Sequence, residues 1–351
     1  MSTEASSPAI PTSTTTPITT SSSTTLPSAA MPLASIAATT PVFLCSGQGS
    51  QQPGMGISAL QIPAVAETFE CASDVFGCDM KQLVSNAPAE VLNDTRNAQA
   101  AITTLSIALG RALMSAGVQP AAILGFSLGQ MSALALSGMV SDTEAFHIVR
   151  ERAAIMARVA AERPGAMSAL LKADYDSVRA VCNGCAQGQV LVPANFNCPG
   201  QIVISGEVDA VSRAEEAWAA QGKRFSRLAT AGAFHSPLMQ PAAYEFDSFL
   251  SNVTFAEARI PLICNTDARP LSASAARAHL ADHLTHPVLF EKSVAYLESL
   301  GARTFVEVGF GGVLSGLVRR IDKEATRLCV QDEESFMQCV EAYAGADLNA
   351  L

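Results

Sequence analysis

The sequence predicts an α/β protein: a mostly parallel sheet covered by helices on both faces, with a smaller β-α-β-β-α-β unit inserted into it. Three observations predict it. Short apolar runs alternate with longer helical patterns along most of the chain. Hydrophobic residues make up 49% of the 351 positions and charged residues only 15%, enough for a sizeable core. Between about residues 166 and 229 the order of elements becomes that of the ferredoxin-like motif.

Residues 1–40 hold 20 Ser or Thr, five Pro and a single charge, Glu4. That composition predicts a disordered tail. Lacking Arg and Lys, it has neither the charge of a transit peptide nor a secretory n-region. Residues 41–46 predict a buried strand that runs into the glycine turn 47–51. Residues 58–116 predict helices. Residues 121–125 predict a second strand, then a turn, then a helix over 130–137. Residues 112–141 carry no charge, but Pro120, two glutamines, four glycines and five serines interrupt them. A buried strand, turn and helix explain that stretch better than a membrane span. A helix over 142–162 follows, with Asp142 as its N-cap and Pro164-Gly165 as its stop.

The inserted unit reads as strands at 166–172, 190–195, 201–206 and 223–229, with helices at 174–184 and 208–221. Beyond it come a helix at 237–250, a strand at 261–265, helices at 273–284 and 288–300, a strand at 304–308 and a helix to about residue 320. The net charge of −10 argues against a nucleic-acid binder. Nine cysteines, an odd number, with one lone CxxC at Cys182 and Cys185, fit reduced thiols in a cytosolic protein rather than a disulfide scaffold or a zinc site.

One motif points to chemistry. Gly125-Phe-Ser-Leu-Gly129 fits G-x-S-x-G between a predicted strand and a predicted helix. There a serine sits on a sharp turn with its hydroxyl exposed. The N–H of Leu128 and the helix N-terminus lie where an oxyanion would form. A serine nucleophile needs a base, usually histidine. Five are available: His147, His235, His279, His283 and His286. The order Ser then His, as in α/β hydrolases, and a loop position before a helix favour His235. His279, His283 and His286, at helical spacing, stay open on pattern alone.

Five segments in order resemble the malonyl-CoA:acyl carrier protein transacylase family. They are Gly47-Gln-Gly-Ser-Gln51 with Gly54-Met-Gly56, Gly125–Gly129, Arg152 in Val149-Arg-Glu-Arg-Ala153, Ala233-Phe-His-Ser-Pro237, and Glu307-Val-Gly309. Residues 195–206 match the small subdomain. The resemblance covers about residues 41–331. It implies an α/β-hydrolase-like catalytic domain from 41–164 and 231–331, a ferredoxin-like subdomain at 165–230, and a C-terminal helix or tail at 332–351. It implies that Ser127 becomes malonylated from malonyl-CoA. His235 then activates the phosphopantetheine thiol of the carrier protein, with Gln48 and Leu128 supplying oxyanion N–H groups. Arg152 holds the malonyl carboxylate, as a planar guanidinium can bidentately. No metal or resident cofactor is implied, and a cytoplasmic monomer is. A malonyl transferase of a malonate decarboxylase or polyketide system, or an acyl hydrolase of the same fold, are alternatives.

Two positions depart from the family pattern. Phe126 stands where the family usually has His, and His283 where it usually has Gln. In the family the base is oriented by a backbone carbonyl at the latter point. Phe126, Phe234, His283 and Asn197 are expected to line the site, and Phe234 to disfavour an α-methyl branch. The carrier protein, usually acidic, needs a basic patch on this acidic chain. Lys223-Arg224 with Arg227, and Arg319-Arg320 with Lys323, are the candidates.

Overall fold

A computed structural model describes residues 33, 35–230 and 232–343. Most of the predicted tail, residues 1–32, and the terminus 344–351 lie outside the described residues. Among the described residues nine strands occur in two sheets: β1 (Pro41–Cys45), β2 (Ala122–Gly125), β3 (Ala166–Ala173), β4 (Leu191–Cys198), β5 (Gly200–Gly206), β6 (Phe225–Arg227), β7 (Leu262–Ile263), β8 (Thr304–Val308) and β9 (Thr326–Val330). The first sheet runs β7-β2-β1-β8-β9 and every pairing in it is parallel. β1, β2 and β8 are buried along their whole length, as strands with helices on both faces must be. The second sheet, β4-β5-β3-β6, is antiparallel. The helices Tyr175–Ala186 and Val208–Ala220 pack on it around the buried Trp218. This is the predicted ferredoxin-like order.

The small sheet is tied to the loop before helix Phe290–Ser299 by backbone hydrogen bonds. The N–H of Phe196 on β4 donates to Val288 O (2.8 Å), and that of Val288 donates to Ala194 O (2.9 Å). No helix among the described residues is long and apolar enough to cross a membrane. The uncharged stretch is instead β2, its turn and the wholly buried helix Gly129–Leu136.

Three expectations need correction. The N-cap of helix Asp142–Glu162 is Ser141, whose Oγ accepts from the N–H of Glu144 (3.1 Å). Asp142 instead binds Arg111 (2.7 Å). The predicted tail ends earlier than residue 40. Ile36 is buried against the core and its N–H donates to Leu300 O (2.7 Å), while Thr304 Oγ1 donates to Ala38 O (2.8 Å). A count averaged over 40 residues hides one apolar anchor, whose burial is worth about 2 kcal/mol. Finally, β9 has no counterpart in the sequence reading, because Arg327 breaks the apolar run of this edge strand. The helix Glu333–Tyr343 follows it and buries Phe336, Cys339 and Val340.

Candidate active site

In a parallel sheet, ligand sites form beyond the carboxyl ends of the strands. Three motif segments lie there, Gly47-Gln48 after β1, Ser127 after β2 and Gly309 after β8, together with Asn265 after β7. The two glycines flanking the serine are needed for close approach. A Cβ on Gly125 would stand 2.1 Å from the N of Gln130, and one on Gly129 2.1 Å from Cys45 O. The turn thus folds tightly against β1, and Ser127 takes a left-handed φ of 50°. A serine pays strain for that conformation, and such strain collects at functional sites.

The strained turn is held by a residue that the sequence reading missed. Asn265 is buried, and its Oδ1 accepts from the N–H of Ser127 (2.7 Å). Its Nδ2 donates to Gly125 O (2.6 Å), and its own N–H donates to Gln130 Oε1 (2.8 Å). Through its side chain and its own N–H, Asn265 therefore holds the elbow at Gly125, Ser127 and Gln130. The only signal in sequence is a polar residue closing the apolar run 262–264 at a strand end.

Ser127 Oγ lies 2.7 Å from His235 Nε2. His235 Nδ1 faces His283 O (2.8 Å) and His286 O (3.1 Å). Two carbonyls can only accept, so Nδ1 carries the proton and Nε2 is the free base. These carbonyls lie at and just beyond the C-terminal end of the helix Ala273–Asp282, where His283 is the C-cap. The negative end of that helix favours the imidazolium that forms when Ser127 gives up its proton. No carboxylate is needed in the pair. The N–H groups of Gln48 and Leu128 make no hydrogen bond among the described residues, which leaves both free to donate to an oxyanion.

Burial lowers the His235 pKa to about 4, the charge of Arg152 lowers it further within that value, and the two carbonyl bonds oppose both. A lowered pKa means that the neutral base persists until pH falls to about 4. The acid limb of kcat/KM for acyl transfer is therefore expected well below the ordinary histidine value of 6.5. A pH profile already falling between about pH 7 and 6 would contradict this.

Arg152 is the largest charged side chain in the interior, 1% exposed. The spacing of its helix explains why. Ala145, Val149, Arg152, Met156 and Val159 repeat at three and four residues and form the buried face. Arg150 and Arg158 fall outside it. The first donates to Val75 O and the second pairs with Glu162 and Glu245. Arg152 has no acidic partner among the described residues. Its Nη1 donates to Gln99 Oε1 (2.7 Å) and its buried Nε has no partner. Burial lowers its pKa to about 10, so it stays charged at neutral pH. An unpaired buried cation is costly unless a ligand anion neutralises it.

Ser127, His235, Arg152 and Gln48 line one cavity of about 440 Å³ between the two sheets. Phe126 and Phe234 line it too, and Phe126 packs edge-on against Phe290 at 5.5 Å. Two expected lining residues do not. Asn197 is buried two positions beyond Asn195, past the point where β4 leaves regular pairing with β5, and Asn195 lines the cavity in its place. His283 is fully buried behind His235, ring centroids 5.1 Å apart, with neither ring nitrogen bonded. Burial, then the charges of His235 and Arg152, push its pKa well down, so it stays neutral and adds no titrating group. Its contribution to the site is its carbonyl. Of the other histidines, His147 lies within helix Asp142–Glu162 and His279 bonds Thr266 (2.9 Å).

The candidate basic patches differ. Lys223 lies over the Trp218 ring at 4.0 Å, and Arg227 is paired bidentately with Glu215. Arg319, Arg320, Lys323 and Arg327, with Pro199, line a separate open cavity of about 470 Å³. None of these four cations is in an ion pair among the described residues.

A serine on a strained strand–turn–helix elbow, with a histidine at hydrogen-bond distance, is the arrangement of enzymes that handle acyl groups. The chain belongs to the acyl transferase domain family, which it matches over residues 42–335. It is 40% identical over 283 residues to the malonyl CoA-acyl carrier protein transacylase of Salmonella typhimurium, covering 80% of this chain and 92% of that one. The crystal structure of the malonyl-CoA:acyl carrier protein transacylase of Xanthomonas oryzae pv. oryzae superposes with a TM-score of 0.84 at 36% identity, over 88% of this chain and all of that one. A malonyl-transacylase solved in complex with a type II PKS acyl-carrier protein gives 0.83 at 36% identity, over 86% and 98% of the two chains.

Proposed function

We propose that the protein moves malonyl from malonyl-CoA to the phosphopantetheine thiol of an acyl carrier protein, supplying fatty acid synthesis. The observation that carries this reading is Arg152: a buried cation without an acidic partner among the described residues, in the same cavity as the Ser127–His235 pair. It asks for an acyl group that ends in a carboxylate.

Ser127 Oγ attacks the thioester carbonyl as its proton passes to His235 Nε2. The oxyanion is held by the N–H groups of Gln48 and Leu128. Collapse of the intermediate breaks the C–S bond, and the CoA sulfur leaves with the proton from His235. The carrier-protein thiol then gives its proton to His235, attacks the Ser127 ester through the same hole, and Ser127 leaves reprotonated. Side chains and backbone supply every group, so the reaction asks for no metal or resident cofactor. The cavity is complete within one chain, which supports a monomer. All nine cysteines are free thiols, which supports the cytoplasm.

Malonyl-CoA, holo-carrier protein and enzyme are expected to give malonyl-carrier protein by mass spectrometry. Free malonate as the main product would make the protein a hydrolase. The cluster Arg319, Arg320 and Lys323, without an ion pair among the described residues, supports this surface as the carrier dock, since acidic partners are steered by such patches. Arg319→Glu with Arg320→Glu is expected to raise the carrier-protein KM about tenfold and leave Ser127 malonylation by malonyl-CoA unchanged. An unaltered KM would place the dock elsewhere.

A further inference from the structure

Gln99 links the two halves of the site. It lies on the helix Thr95–Ser115 and is fully buried. Its Oε1 accepts from Arg152 Nη1 (2.7 Å). Its Nε2 donates to Gln48 Oε1 (3.3 Å) and approaches Met156 Sδ (3.7 Å). The amide can only face this way, because a flipped NH2 would point at the guanidinium. We infer that Gln99 is a specificity-determining positioning residue: one amide aims Arg152 at the acyl carboxylate and tethers the loop that carries the Gln48 oxyanion donor.

The physical basis is a division of the guanidinium. Gln99 occupies Nη1, while the buried Nε has no partner and the residue still lines the cavity. Because Gln99 is neutral, it aims the cation without neutralising it. A glutamate there would have nearly the same shape, but it would pair with Arg152 and compete with the incoming carboxylate. It would also lose both donors, and with them the tether to Gln48. Charge recognition at one end of the acyl group and charge stabilisation at the other thus depend on one side chain.

This rests on the reading of Arg152 as the carboxylate clamp, and the test separates the two. Initial rates of acyl-enzyme formation from malonyl-CoA and acetyl-CoA are followed by intact mass in wild type, Gln99→Glu, Gln99→Met and Arg152→Ala. Melting temperatures report that each protein is folded. Gln99→Glu is expected to lower the malonyl-to-acetyl rate ratio at least about tenfold. Gln99→Met, with no acceptor and no charge, is expected to raise the malonyl-CoA KM while slowing both acyl groups through the loosened Gln48 loop. Equal losses for both acyl groups in folded Gln99→Glu, or an unchanged malonyl KM in folded Gln99→Met, overturn the inference. If Arg152→Ala abolishes malonyl preference while both Gln99 variants keep it, only the role of Gln99 fails. If Arg152→Ala keeps the preference, the clamp itself has been misassigned.

Discussion

Ser127→Ala protein incubated with malonyl-CoA is expected to keep its unmodified mass, while wild type gains one malonyl group. Steady-state transfer to carrier protein should fall on the order of 10,000-fold or more, because the covalent route is lost and only binding and oxyanion contacts remain. The substitution is clean. Alanine and serine carry similar strain at a φ of 50°, and the N–H bond to Asn265 does not involve the side chain of residue 127. Only the 2.7 Å contact to His235 disappears. Malonylation of the Ser127→Ala protein would move the nucleophile to another residue.

Arg152→Ala should change which acyl group is transferred more than whether one is. Removing the partner of a buried, hydrogen-bonded carboxylate costs about 3 kcal/mol, or roughly 100-fold in malonyl transfer. Acetyl transfer should lose far less, because an acetyl group gains nothing from the guanidinium and no longer leaves a buried cation unpaired. The His235 pKa should also rise once the nearby positive charge is gone, since that charge is one cause of its depression. The acid limb of the acetyl-transfer profile then moves to higher pH. Parallel measurements of kcat/KM with the two thioesters, each across pH, check both effects.

How much of this was legible in the sequence depends on how local each feature is. The elbow at Ser127 was legible because its glycines, turn and flanking elements are consecutive. The ferredoxin-like unit was legible because its six elements alternate with clear turn signals. His235 could be ranked but not singled out by pattern, since the contact that selects it spans 108 residues. Arg152 could be assigned only through the resemblance, and the structure shows the physical reason for its choice over Arg150 and Arg158: the face of a helix. Asn265 and Gln99 stayed hidden because each acts through partners on other elements. Asn197 was expected where Asn195 lies because irregular pairing in β4 cannot be read from alternation. Ile36 was masked by the composition of the residues before it.

Both members of the reacting pair are left-handed: His235 has a φ of 60°, beside the 50° of Ser127. Each such residue costs about 1–3 kcal/mol that neighbouring contacts must offset. Selection for folding alone would put glycine at both positions, where the same backbone is free of that strain. The chain has therefore given up thermodynamic stability at the two places where its chemistry is done. It follows that glycine at residue 127 or 235 is expected to relieve backbone strain while removing a member of the reacting pair, so stability gained at either place ends in loss of the enzyme.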